Sequence, residues 1–266
     1  MSANEKIPTT ISGINQLPIE IKRQVYLRLI PAPIFKIFDL SENLIDEQGH
    51  DLVYLSADVG SPVAELSLFH QYGFPDPVVY GQITDTVNGQ IHIMLYVINN
   101  PNSPRFDVDR LPDGTLTSFG ILERNIPAEL AAMQAGLAPG QIRAGLRLLE
   151  SAIVSFEEFS LLLGHDRFFS EPLYYHNAVI LERDGFAYLK GRSLMEQIET
   201  GFSNGGDLRK KLDGSNPFRM AQAAQSIRLR SWALHDGIME SPFMGVTMYK
   251  IVGKDAHIRT SADIDW

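Results

Sequence analysis

Residues 78–98 constrain the fold most. Val78 to Thr84 and Gln90 to Ile98 are rich in β-branched and aromatic residues, and Asn88-Gly89 stands between them. An Asn-Gly step supplies the positive φ angles that a tight hairpin turn requires. The second arm alternates, with Ile91, Ile93, Leu95 and Val97 on one face and His92, Met94 and Tyr96 on the other. Such alternation marks a half-buried strand. Val53 to Ala57 and Val63 to Phe69 read as shorter strands parted by Gly60-Ser61-Pro62, and Thr115 to Leu122 as a further one.

The helical signals lie on either side. Leu17-Pro18 opens a helix with Ile19, Ile21, Val25, Tyr26, Leu29 and Ile30 at helical spacing, and Pro31 and Pro33 end it. Pro127 to Ala135 reads as a short helix closed by Gly136, and Pro139-Gly140 as the start of a long one ending at Gly164. Then come a helix over 172–184, a strand over 186–190, a helix over 192–202, a linker over 203–216 and a helix over 217–234. Gly245 to Val252 and His257 to Thr260 close the chain as strands. Residues 1–14 are small and polar without periodicity and read as disordered. Strands followed by helices interleaved with strands predict an α/β (α+β) fold, a mixed and mostly antiparallel sheet covered by helices. Residues 15–266 read as a single domain.

Composition removes several function classes. The 266-residue chain has a net charge of −9, which disfavours general binding to a phosphate backbone, so no nucleic-acid partner is expected. It has no cysteine, so disulfides, thiolate catalysis and Cys-ligated zinc are excluded. No run approaches the roughly 18 apolar residues of a membrane span. No membrane partner is expected, and the cytoplasm is the expected location.

The stretch Tyr174-Tyr175-His176-Asn177-Ala178-Val179-Ile180-Leu181-Glu182-Arg183-Asp184-Gly185-Phe186 runs from an amphipathic helix through a glycine stop into the strand Phe186-Ala187-Tyr188-Leu189. It resembles the end of GNAT-type N-acyltransferase domains, where a helix flanking the coenzyme A site enters a strand through a Gly-Phe step. The resemblance covers residues 78–190, with 191–266 as a C-terminal extension. It implies acetyl-CoA or another acyl-CoA as cosubstrate and a small-molecule or protein amine as acceptor. In that family a glycine-rich turn at the start of the long helix binds pyrophosphate through backbone N–H groups. The corresponding segment here offers Gly140, Gln141, Arg143 and Gly145, although the family's glycine positions fall on Ala144 and Leu146. Helix 172–184, with Asn177, would flank the pantetheine arm.

The family's tyrosine, the acid that protonates the leaving thiolate, falls on Leu181, which has no proton to give. The resemblance therefore shifts that role to Tyr174 or Tyr175, whose alternative use is aromatic packing. A general base is sought at Glu123, ahead of the long helix.

Other clusters leave other readings open. Arg228, Arg230 and Trp232 crowd together and suit a carboxylate or phosphate ligand, or they brace a capping helix. Leu181 and the irregular glycine turn favour an alternative: a non-catalytic protein on a GNAT-like scaffold that binds a small anionic ligand near Arg228 and Arg230 or self-associates, as a homodimer. His165, His176 and His235 suggest a metal-dependent enzyme as a third choice. Their spacing matches no metal motif, so no metal is expected. Asp107-Val108-Asp109 with Asp113-Gly114 lacks the terminal glutamate of a calcium loop.

Overall fold

The computed structural model describes residues 7–117, 123–261 and 264–266. In chain order these form α1 (Ile11–Ile14), α2 (Ile19–Tyr26), α3 (Pro33–Ile37), β1 (Val53–Ser56), β2 (Val63–Leu68), β3 (Val79–Asp85), β4 (Ile91–Ile98), α4 (Ile126–Gln134), α5 (Leu149–Leu162), β5 (Arg167–Ser170), α6 (Tyr175–Arg183), β6 (Ala187–Lys190), α7 (Arg192–Phe202), α8 (Asp207–Lys210), α9 (Ile227–His235) and β7 (Thr247–Ile251). The fold is α+β, on a seven-stranded, mostly antiparallel sheet of order β1-β2-β3-β4-β5-β7-β6. Among the described residues no helix is long and apolar enough to cross a membrane. The chain packs as two compact units, one made of 1–102, 145–171 and 249–254, the other of 103–144, 172–248 and 255–266. Neither unit is continuous in sequence, and their division cuts through the expected core at 78–190.

In the first unit β1 to β4 form an antiparallel meander. Gly89 takes φ +72 in the predicted hairpin turn. A β-bulge then breaks the predicted alternation. Gln82 faces Leu95 and Ile83 faces Ile93, so Met94 has no residue opposite it on β3. An extra residue reverses the parity of everything beyond it. Gly81 faces Tyr96 and Val79 faces Ile98, which puts Tyr96 and Ile98, not Leu95 and Val97, on the face of Ile91 and Ile93. That face is the buried one. Tyr96 donates to the Leu29 carbonyl at 2.7 Å and meets Phe156 of α5 edge-on, with ring centroids 4.9 Å apart. Phe156 in turn stacks on Phe168 of β5, and Phe159 on Tyr26.

The predicted disorder of 1–14 does not hold at its end, because α1 is pinned to the same face. The Asp85 carboxylate accepts from the Ile11 and Ser12 N–H groups, and Thr10 caps Gly13. Three orphan donors of a helix start are thereby satisfied, and Ile11 and Ile14 are fully buried.

In the second unit a core of Val108, Ala132, Leu137, Phe218 and Trp232 joins α4 and α9. The predicted helix stop at Gly185 is present, at φ +82. Three other expectations are corrected. Pro139-Gly140 does not open the long helix. Gly140 sits at φ +77 in a turn where the Gln141 side chain accepts from the Ala138 N–H, and Arg147 at φ +58 again rules out helix. α5 begins only at Leu149. The helix predicted over 217–234 is shortened to α9, preceded by short 3-10 turns at Pro217–Arg219 and Ala221–Gln225. Residues 257–260 form no strand, because Thr260 gives its N–H and hydroxyl to the buried Glu182 carboxylate instead of to a ladder. Of the strand predicted over 115–122, Leu116 makes an isolated bridge with Arg110, and 118–122 lie outside the described residues.

Candidate functional site

β4 has a backbone edge that its neighbour leaves open. β5 runs parallel to β4 but pairs with it only at His92↔Phe169 and Ile93↔Ser170. β4 continues to Ile98, and the next bridge on that side joins Asn99 to Gly145. Between Ile93 and Asn99 lies an interval of about 20 Å, at about 3.3 Å per residue, with no paired strand among the described residues. Unpaired strand edges recruit extended ligands through main-chain hydrogen bonds. Gly145, one of the predicted pyrophosphate residues, closes the far end of this interval. Shortly after it, α5 starts without a side-chain cap, so its first N–H groups have no capping side chain.

His92 stands at the near end. Its Nε2 is buried without a hydrogen-bond partner. Burial pushes its pKa below the usual histidine value, against the opposing pull of the Glu171 carboxylate. It pairs with Thr84 on β3 and Phe169 on β5, so it shares a face with them and with Gln82, Tyr80 and Glu65. Glu65 accepts from the Gln82 amide at 3.0 Å. Burial and the Glu65 carboxylate raise the Tyr80 hydroxyl.

A second polar cluster fills the second unit and brings Gly140 and Tyr174 together. A Cβ on Gly140 would come within 2.5 Å of the Tyr174 ring and 2.8 Å of its hydroxyl oxygen. The Tyr174 ring stacks on His176 and meets His235 edge-on, with centroids 5.6 and 5.5 Å away. His235 Nε2 lies 3.0 Å from Glu129, which Arg124 also grips through two nitrogens. Arg124 continues to Asp236, and Asp236 takes further bonds from Arg219 and Asn216 at 3.0 Å each. Burial raises the Glu129 pKa, but hydrogen bonds and charge from His235 and Arg124 outweigh it and leave the pKa lowered. His176 is depressed to about 3 by burial and then by His235, and its Nδ1 lies 2.9 Å from the Ser231 hydroxyl. Burial and Glu129 raise the Tyr174 hydroxyl.

The remaining predicted residues are dispersed. Tyr175 is buried on α6 with its hydroxyl raised by burial, while Arg230 beside it opposes the shift. Glu123 is exposed ahead of α4, and Asn177 is half-buried on α6. Arg143 is buried and donates to the Ser103 carbonyl at 2.5 Å. Arg228 donates to the carbonyls of Met133 and Leu137, Arg230 to Glu199 and the Ala224 carbonyl, and buried Trp232 to the Leu137 carbonyl. These three act as internal braces. His165 bonds the Thr9 carbonyl, and among the described residues no three His, Asp or Glu side chains converge in metal-binding geometry.

Sequence reasoning missed two features. His92 gave no signal beyond its place in the alternation, and the Glu129–His235 pair joins residues 106 positions apart. No protein-family model, curated protein or solved structure matches the chain.

Proposed function

We propose that the protein transfers an acyl group from coenzyme A to an amine, using a GNAT-like core in which the open edge of β4 holds the pantetheine arm. One observation carries the reading: β5 ends at Ser170, opposite Ile93, while β4 runs on to Ile98. An amide-bearing chain fits such an edge because it can replace the missing strand's hydrogen bonds. The uncapped start of α5, beyond Gly145, then offers backbone N–H groups to the pyrophosphate. In chain order β4 is followed by α4, α5, β5, α6, the Gly185-Phe186 step and β6, so the reading takes α4 as an insertion ahead of the long helix. We also propose the cytoplasm as the location, where coenzyme A thioesters are supplied.

A second reading, a binding protein without turnover, is favoured by Leu181 in the acid position and by the burial of Tyr175. Calorimetry with acetyl-CoA, followed by a thiol-release assay with amine acceptors, tests both. Micromolar binding with turnover is the expected result. Binding without turnover against any amine supports the second reading. No binding at millimolar acetyl-CoA refutes the first.

A further inference from the structure

We infer that His92 is the general base of this reaction, and that its acceptor is a primary alkyl amine bearing additional positive charge. The inference rests on the acyl-transfer reading above and adds to it a base and a substrate class. His92 occupies the last but one position of the β4–β5 ladder, next to the start of the open edge. A thioester carried along that edge would present its carbonyl within reach of this end. A buried ring nitrogen with no partner costs stability, and such a cost persists where a substrate supplies the missing partner. An amine nitrogen is a suitable one, because it carries the proton that an imidazole lone pair accepts.

The surroundings of His92 select for charge. Glu65 on β2 lies on the same sheet face, bonded by the neutral Gln82 and Tyr80 of β3. The Glu171 carboxylate, just past β5, acts on the His92 ring. Phe169 and, on β7, Tyr249, with centroids 6.2 Å apart, supply apolar surface and a phenol. Arg167, two residues before Phe169 on β5, shares this face and lies near Tyr249, but its guanidinium donates through two nitrogens to the Asp166 carboxylate at 2.9 and 3.0 Å. Two carboxylates and aromatic rings favour an alkylammonium over an anion.

The reaction then balances without a further reagent. The neutral amine nitrogen adds to the thioester carbonyl and the C–N bond forms. The nitrogen's proton becomes acidic and passes to His92 Nε2. The C–S bond breaks, the coenzyme A thiolate takes a proton from solvent, and His92 returns its own proton to solvent.

The test compares the wild type with His92→Gln and His92→Asn, using calorimetry with acetyl-CoA and thiol release with 1,4-diaminobutane, butylamine, 4-aminobutyrate and a lysine-containing peptide. Both variants should bind acetyl-CoA as the wild type does and lose roughly 100-fold or more in kcat/KM, the usual share of a general base. The wild type should lose activity on acidification only below pH about 6.5, the ordinary histidine value, because burial lowers the His92 pKa; the variants should lose that limb. The diamine should be preferred over butylamine and butylamine over 4-aminobutyrate, and comparing the diamine with the peptide identifies a free amine or a protein lysine as the source. Variants that bind acetyl-CoA and keep wild-type turnover overturn the role of His92 and leave acyl transfer standing. A preference for 4-aminobutyrate overturns the charge selection. A wild type that binds no acetyl-CoA overturns the function and this inference together.

Discussion

The two polar regions of this protein solve opposite problems. Around Glu129 in the second unit, buried charge is answered by buried charge. Arg124 and His235 hold Glu129, while Arg124, Arg219 and Asn216 hold Asp236. In the first unit, His92 Nε2 is buried and unanswered, beside a strand edge with no paired neighbour among the described residues. A closed network has no capacity left for a ligand, whereas an open edge with an unpaired nitrogen does. Ser160 and Tyr175 also carry a buried polar atom without a partner, so it is the neighbouring open edge that sets His92 apart.

The largest effect should come from opening the closed network. Glu129→Ala takes from His235 its carboxylate partner and leaves Arg124 with Asp236 alone, and should cost about 3 kcal/mol in denaturant unfolding. A loss under 1 kcal/mol would mean that the network is not closed. Next is the acid response. His176 has a folded pKa of about 3, below the unfolded value of about 6.5. The unfolded chain therefore binds the proton first, and stability should be fully present above pH about 6.5 and fall by about 1.4 kcal/mol per unit as pH drops toward 3. Glu129, also depressed, adds its own loss below its unfolded value of about 4.3. In His176→Asn the slope between pH about 6 and 5 should flatten. An unchanged slope would remove His176 as its cause.

Gly140→Ala should cost about 1–3 kcal/mol, since it forces a side chain into the left-handed region and against Tyr174. On the open side the sign reverses. His92→Phe removes an unsatisfied buried nitrogen and should leave stability unchanged or raised by up to about 1 kcal/mol, while lowering kcat/KM by roughly 100-fold or more. A large loss of stability would show that His92 is a structural member of the sheet. The smallest effect is expected at Glu123→Gln. Its site is exposed, so stability should change by less than about 0.5 kcal/mol, and with His92 as the proposed base activity should hold.

Local rules made part of this legible from sequence. The hairpin at Asn88-Gly89, the short helix at α4 and the stop at Gly185 each depend on a few adjacent residues, and each is present. The bulge at Met94 was not legible, because nothing in Ile91 to Ile98 departs from alternation. Only pairing with β3 reveals that Tyr96 faces the helices. The start of α5 was misplaced because Pro-Gly opens a helix locally, whereas Gly140 is fixed by contact with a ring 34 positions away. Arg228, Arg230 and Trp232 looked like a ligand cradle, since a sequence shows donors but not the carbonyls that occupy them. The open edge of β4 needed the registers of both neighbours before it could be seen at all.

The measurement to make is amide hydrogen exchange of residues 94–98, with and without saturating acetyl-CoA. Alternate amides of this segment bond to β3 and should be protected in both states. The amides that point to the open edge should exchange fast in the free protein and become strongly protected when acetyl-CoA binds. Edge-facing amides already protected in the free protein, or unchanged at saturating acetyl-CoA, would contradict a coenzyme held on β4.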